Sequence, residues 1–193
     1  MERVKEILTN PVAAILKAKK EKNINKTMLI LLLSWLLTAI SFFFVTFNTM
    51  LTIVALGSFI AVFVSGILFS LFYSYIVDLV MNILGGKGKY YETLTATTYS
   101  SLPISVGLFL TSILFLINQL LGLTIGFIII SITTALTLSI YFRAIKEFYS
   151  TDMIITFIGF FLIIYIFMVA FYISIAFTMS SSIFFNILSN FRF

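Results

Sequence analysis

The fold is set by the stretch MLILLLSWLLTAISFFFVTF, Met28–Phe47, which is twenty residues long and contains no charged side chain. A helix of about 20 apolar residues crosses the hydrocarbon core of a bilayer, which is about 30 Å thick. The stretch is longer than the apolar core of a signal peptide, and no small-residue cleavage site follows it. We therefore expect a transmembrane helix that stays in the mature protein.

The composition of the whole chain agrees with a membrane location. Of its 193 residues, 61% are hydrophobic and 10% are charged, whereas soluble domains average about 25% charged residues. The chain contains neither cysteine nor histidine, so disulfides, thiolate nucleophiles and imidazole bases have no source. We find no serine elbow and no phosphate-binding loop. We therefore predict no catalytic residue, no metal and no cofactor.

Further apolar runs follow the first, and we predict an all-α polytopic membrane protein with a bundle of five transmembrane helices. The predicted spans are residues 28–47, 51–84, 102–118, 123–142 and 153–177. Pro103 follows the polar segment Thr93–Ser101, so we expect a helix to begin near this proline and the polar segment to lie at the interface. We expect Arg143–Asp152 to be a loop. The tail, residues 180–193, is either a short interfacial helix or a frayed terminus.

Small residues recur at helical spacing within the apolar runs. They are Gly66, Ser70 and Ser74 in the second predicted span, and Gly122 and Gly126 at the start of the fourth. In lipid, helices associate where small side chains allow close backbone approach. These positions therefore predict helix contacts, either within one chain or across a homo-oligomer.

Basic residues are concentrated before the first span. Residues 1–27 form a cytoplasmic segment ahead of the membrane domain, 28–193, and hold seven of the twelve Lys and Arg. Asn10 can cap a helix that begins at Pro11, with apolar residues on one side and lysines largely opposite. Such an amphipathic helix lies at the membrane interface or docks a cytosolic partner. The lysines that we expect to contact lipid headgroups are Lys17, Lys19, Lys20 and Lys22.

Charge also predicts the orientation, because positively charged loops are retained in the cytoplasm. Five spans with a cytoplasmic N-terminus and an external C-terminus leave only Arg192 outside among the basic residues. Seven of the nine tyrosines lie near the same boundary, as an interfacial belt is expected to do. They are Tyr73, Tyr75, Tyr90, Tyr91, Tyr99, Tyr141 and Tyr149. The membrane is the cell membrane if the chain is prokaryotic.

Polar residues that could carry function map to this cytoplasmic side. Asp78 is the one ionisable residue inside a predicted span, which disfavours charge-coupled transport. It is either a boundary carboxylate paired with a basic residue (Lys87, Arg143 or Lys146) or part of a cation site with Glu92, Glu147 and Asp152. The candidate functional cluster comprises Asp78, Asn82, Gly85, Gly86, Lys87, Gly88, Tyr90, Glu92, Tyr99, Pro103, Arg143, Glu147 and Asp152.

Three segments together resemble the Yip domain family of Ypt/Rab-interacting membrane proteins, in particular its prokaryotic members. They are TNPVAAILKAKK, Thr9–Lys20; DLVMNILGGKGKYYETLTATTYSSLP, Asp78–Pro103; and YFRAIKEFYSTD, Tyr141–Asp152. The resemblance implies a five-helix protein with a cytoplasmic N-terminus, and in eukaryotes a role in vesicle formation and Golgi trafficking beside small GTPases, without catalysis. The DLYGP-type motif of the eukaryotic members is absent, so GTPase binding is not carried over.

We therefore predict a non-enzymatic membrane scaffold that organises or shapes the bilayer or docks partner proteins. Its expected partners are membrane lipids with anionic headgroups. A protein partner on the cytoplasmic face and a homo-oligomer remain open. We expect no nucleic acid. The alternative is a channel, lipid scramblase or small-solute permease whose path is lined by hydroxyls instead of charges. The candidate lining residues are Ser65, Ser70, Ser74, Thr111, Ser112, Ser131, Thr133, Thr134 and Thr137. An enzyme that depends on Asp78 or Glu92 is the third hypothesis.

Overall fold

The computed structural model describes residues 2–49 and 52–169, and the regular structure within these ranges is entirely helical. The helices are α1, Glu2–Thr9; α2, Pro11–Glu21; α3, Ile24–Thr49; α4, Thr52–Ile83; α5, Tyr90–Ile117; α6, Gln119–Tyr149; and α7, Met153–Val169. Four of them, α3 to α6, are long and apolar enough to cross a membrane. The all-α prediction is confirmed for these residues. The predicted tail helix and the last residues of the fifth predicted span lie outside them.

The predicted boundary at Pro103 is wrong, because α5 runs unbroken from Tyr90 to Ile117 with this proline inside it. The polar segment Thr93–Ser101 is part of this helix and is largely buried in the protein. Its hydroxyls face neighbouring helices, as the fully buried Thr95 does when its Oγ1 lies 3.2 Å from that of Thr27 on α3. Neighbouring hydroxyls of this kind also help a membrane helix to tolerate an internal proline. The segment is polar because it makes helix contacts.

The predicted loop Arg143–Asp152 is also mostly helical. Helix α6 continues to Tyr149, and Ser150, in the left-handed conformation with φ 53°, caps it. Ala144, Ile145 and Phe148 are buried on one face of this last part of α6. A buried apolar face outweighs the charged residues between these positions, which project outward from the other side of the helix.

Helix α5 is central, since it contacts α3, α4 and α6 as well as the two N-terminal helices. Side-chain hydrogen bonds join it to its neighbours. Thr38 on α3 donates to Ser105 at 3.1 Å, and Ser74 on α4 donates to Thr97 at 3.1 Å. Between helices in lipid, such bonds and close packing replace the hydrophobic drive that water provides elsewhere.

The small residues on α4 lie where α4 meets its neighbours, which confirms the predicted helix contacts. Gly66, Ser70 and Ser74 are all buried. Gly66 packs on the indole ring of Trp35, whose Nε1 donates to Ser70 at 2.8 Å. At the start of α6, Gly122 faces Phe115 of α5. Within the part of the chain that the structure describes, these contacts are intramolecular.

The N-terminal segment forms two short helices instead of one. Helix α2 begins at Pro11, and the side chain of Asn10 accepts a hydrogen bond from the N–H of Ala13 at 3.2 Å, so the predicted cap is confirmed. Ala14, Ile15 and Ala18 are buried, and α2 contacts α5 and α6. The apolar face of α2 therefore packs on the helix bundle.

Replacing Gly66 with alanine tests the contact between α3 and α4. An added Cβ overlaps the ring of Trp35, and overpacking of this kind costs about 1–3 kcal/mol. Gly57 lies on the same helix with no atom within 4 Å of an added Cβ, so Gly57→Ala is the matched control. We expect Gly66→Ala alone to lower the unfolding temperature in detergent and to change the fluorescence of the single tryptophan. Equal stability of both variants would contradict the contact.

Candidate functional site

The end of α4 and the start of α5 are joined by a glycine-rich turn, Gly85–Lys89. Gly85 has φ 86°, a left-handed conformation that glycine adopts without strain and that commonly ends a helix. Its N–H donates to the carbonyl of Asn82 at 3.1 Å, and the N–H of Gly86 donates to that of Met81 at 2.9 Å. The turn thus satisfies the last carbonyls of α4 and reverses the chain.

The turn wraps around the side chain of Tyr149 at the end of α6. A Cβ added to Gly86 or to Gly88 would lie 2.6 Å from Cδ1 of this tyrosine, so only glycine leaves room for the ring. Between the two glycines, the N–H of Lys87 donates to the carbonyl of Tyr149 at 3.2 Å. Tyr149 is 1% exposed. The glycines therefore serve close packing here as well as the bend.

The hydroxyl of Tyr149 joins two further helices. It donates to Oδ1 of Asp78 on α4, and its oxygen is then free to accept from the hydroxyl of Thr93 on α5. A hydrogen bond to a carboxylate is among the stronger neutral-to-charged contacts, worth about 1.5–3 kcal/mol. One side chain thus connects α4, the turn, α5 and α6. We call Asp78, Gly86, Gly88, Thr93 and Tyr149 the Tyr149 cluster.

This geometry matches neither of the two interpretations of Asp78 that the sequence left open. Among the described residues, its carboxylate bonds Tyr149 and forms no ion pair with Lys87, Arg143 or Lys146. Nor do the four acidic residues converge, since no group of three acidic side chains in residues 2–49 and 52–169 is placed to hold a metal ion.

Glu92 caps α5. Its Oε2 accepts a hydrogen bond from the N–H of Lys89 at 2.9 Å, and the side chain is 8% exposed. A carboxylate in the first turn satisfies a free N–H and faces the positive end of the helix dipole. Glu92 therefore stabilises the start of the helix that supplies Thr93 to the cluster.

The remaining predicted site residues fall into three places. Asn82, Lys87 and Tyr90 lie at the rim of the turn, where the hydroxyl of Tyr90 donates to the carbonyl of Leu71 at 3.2 Å. Tyr99 and Pro103 are buried farther along α5 and do not belong to the cluster. The other three lie beside the end of α6. Arg143 and Glu147 line a separate cleft. Asp152 is exposed and precedes α7, and its carbonyl accepts a hydrogen bond from the N–H of Thr156 at 3.1 Å.

Sequence reasoning left Tyr149 and Thr93 out of the candidate cluster. Tyr149 was assigned to an interfacial belt, but it is buried in the protein, as are Tyr99 and Tyr141. Two features of the sequence could have indicated it. Gly86 and Gly88 leave room for an aromatic ring to pack against the turn, and the carboxylate of Asp78 requires a hydrogen-bond donor. The hydrogen bond to Asp78 spans 71 positions in the sequence, so local patterns do not reveal it.

The four lysines expected to contact headgroups differ in their surroundings. Lys19 reaches α6, where its Nζ donates to the carbonyl of Glu147. Lys17 forms an ion pair with Glu6 at 3.7 Å. Lys20 and Lys22 are exposed. The bond from Lys19 places α2 at the same end of the bundle as Tyr149.

Comparison with protein families identifies a match over most of the chain. The family model described as the Yip1 domain matches residues 5–175, which includes α2, the glycine-rich turn and the end of α6. No curated protein and no solved structure matches the chain.

Removing the hydroxyl of Tyr149 tests the cluster. Tyr149→Phe keeps the ring against the glycines but leaves the half-buried carboxylate of Asp78 and the buried hydroxyl of Thr93 without this partner, which costs about 1–3 kcal/mol. The control is Tyr165→Phe, which removes a hydroxyl from a side chain that is 66% exposed and should leave the unfolding temperature unchanged. A double-mutant cycle with Asp78→Ala should give a coupling of about 0.5–3 kcal/mol. Strictly additive effects would contradict the bond.

Proposed function

Because this chain belongs to the Yip1 domain family, whose model matches residues 5–175, we propose that it is a non-enzymatic membrane scaffold. It organises or shapes the bilayer, or docks partner proteins, at the end of the bundle that carries the Tyr149 cluster. The observation that carries this proposal is that the polar groups of the cluster bond one another across helices. Groups engaged in this way stabilise a surface, whereas a catalytic group must reach a substrate.

Exposed basic residues surround the cluster at this end of the bundle. Lys87 and Lys89 lie on the turn, and Lys20 and Lys22 lie at the end of α2. Each basic side chain near an anionic membrane surface contributes about 1 kcal/mol to binding. The arrangement supports contact with an anionic leaflet, made by a rigid end of the bundle.

We propose that α7 completes a topology of five spans with the N-terminus in the cytoplasm. Its seventeen described residues correspond to about 26 Å of helix, slightly less than the thickness of the hydrocarbon core. Ile163 is buried, and Gly159 faces Val80 and Met81 of α4. Helix α7 therefore packs along the bundle beside α4, as a further span does.

The placement of the hydroxyls favours a scaffold and argues against a conducting path. Among the candidate lining residues, Ser112, Ser131 and Thr133 bond carbonyls of their own helices at 2.8–2.9 Å. Ser70 and Thr137 do line one partly open cavity of about 220 Å³, but its walls are largely apolar side chains such as Trp35 and Phe160. Hydroxyls that are satisfied within a helix offer little to a moving ion.

The orientation can be tested by labelling, because the chain has no cysteine of its own. We expect Lys87→Cys to react with a membrane-impermeant maleimide only after the cells are opened. The matched control is Asn48→Cys. Asn48 lies near the C-terminal end of α3, at the opposite end of the bundle from Lys87, so it should react in intact cells. Both positions are exposed. Labelling of Lys87→Cys in intact cells would overturn the orientation.

Reconstitution tests the scaffold. We expect the full chain to cluster anionic lipids or to change the shape of vesicles that contain phosphatidylglycerol, and to have little effect on vesicles of phosphatidylcholine alone. Lys20→Gln with Lys22→Gln should weaken the effect, since about 1 kcal/mol of surface attraction is lost per lysine. Vesicles are imaged by electron cryomicroscopy, and lipid clustering is followed by energy transfer. Rapid ion or lipid flux through the same vesicles, without clustering or shape change, would favour the permease alternative.

A further inference from the structure

A cleft of about 560 Å³ lies between the end of α6 and the start of α7, apart from the Tyr149 cluster. Its wall combines two chemical characters. The charged residues are Arg143, Lys146 and Glu147, and the apolar ones are Phe142, Met153 and Phe157. A cleft that is cationic at one part and aromatic at another fits a molecule with an anionic group and an apolar chain.

The cationic part has two exposed side chains on one face of α6. Arg143 and Lys146 are three residues apart, so they are neighbours on the helix surface. Glu147 offsets one of these charges. Lys19 brings a further ammonium group to the same turn, since its Nζ donates to the backbone carbonyl of Glu147. The charge beside the cleft is therefore positive overall, and the planar guanidinium of Arg143 matches the geometry of a phosphate.

The apolar part is made by aromatic rings that face each other across the two helices. The ring centroids of Phe142 and Phe157 are 4.5 Å apart. Phe157 is 41% exposed and Met153 is 42% exposed. In a protein surrounded by lipid, such a surface contacts acyl chains.

The position of the cleft near the end of α6 indicates which kind of ligand it binds. Arg143 and Lys146 lie within about two turns of Tyr149, where α6 leaves its apolar stretch. Basic side chains at the ends of transmembrane helices reach the phosphate level of the leaflet. We propose that this cleft binds an anionic phospholipid, with its phosphate on Arg143 and Lys146 and an acyl chain along Phe142 and Phe157. The site is distinct from the exposed Lys20 and Lys22 at the end of α2 and holds whether or not the scaffold function does.

Native mass spectrometry of the full chain in detergent, titrated with phosphatidylglycerol or phosphatidylcholine, tests the proposal. We expect phosphatidylglycerol to be retained and phosphatidylcholine to be lost. Arg143→Gln with Lys146→Gln should weaken phosphatidylglycerol binding about 25-fold, since each basic side chain near an anionic surface contributes about a factor of five. Lys5→Gln with Lys26→Gln removes the same charge from exposed positions outside the cleft and should bind like the parent chain.

Two further arms separate the lipid from a free anion and from a general loss of folding. Glycerol phosphate shares the headgroup but has no acyl chain, so we expect it not to displace the lipid, and we expect Phe157→Ala to weaken lipid retention. The fluorescence of Trp35 during heating verifies that each variant is folded. Equal retention of phosphatidylcholine, equal loss in both double variants, or full displacement by glycerol phosphate would overturn the lipid site. Failure of vesicle clustering with lipid retention intact would reject the scaffold alone.

Discussion

The structure depends on one property of the hydrocarbon core of the bilayer, which is that it neither donates nor accepts hydrogen bonds and does not drive apolar helices together. Helices in a bilayer therefore associate through close packing and through polar side chains that satisfy one another. The chain does both. Gly66 admits the ring of Trp35, and the indole then bonds Ser70. The polar residues of the central helix α5 have the same purpose, since Thr95 and Ser105 bond α3 while Thr97 bonds α4.

The same rule explains why so much depends on Tyr149. The end of the bundle holds together a turn, two helix ends and a helix start, beside a buried apolar cluster that includes Val80, Met81 and Phe148. A buried tyrosine supplies a flat surface for the glycines and a hydroxyl for Asp78 and Thr93. Asp78 is thereby stabilised as a structural acceptor. The exposed lysines Lys87 and Lys89 lie on the turn that packs around this tyrosine, as the proposed contact with a leaflet or a partner requires.

Hydropathy was sufficient to predict the long helices, and the second predicted span, 51–84, nearly coincides with α4, Thr52–Ile83. It failed where polarity has two possible causes. Residues Thr93–Ser101 and Arg143–Asp152 are polar enough for an interface or a loop. The first is wholly helical with its hydroxyls among neighbouring helices, and the second is helical as far as Tyr149 with its charged side chains projecting outward. Of the predicted cluster, Asp78, Gly86 and Gly88 do meet, but their partner Tyr149 is distant in sequence. The contact of Tyr149 with these residues depends on how the helices pack, so local sequence patterns do not predict it.

The most direct test of this account is hydrogen–deuterium exchange at the glycine-rich turn of the purified protein in lipid nanodiscs. The amides of Gly86 and Lys87 donate to the carbonyls of Met81 and Tyr149, so we predict slow exchange at both, comparable to that of the adjoining helices. The amide of Gly88 provides a comparison within the same turn. Exchange of Gly86 and Lys87 at the rate of an unstructured peptide would contradict the claim that Tyr149 fixes this end of the protein.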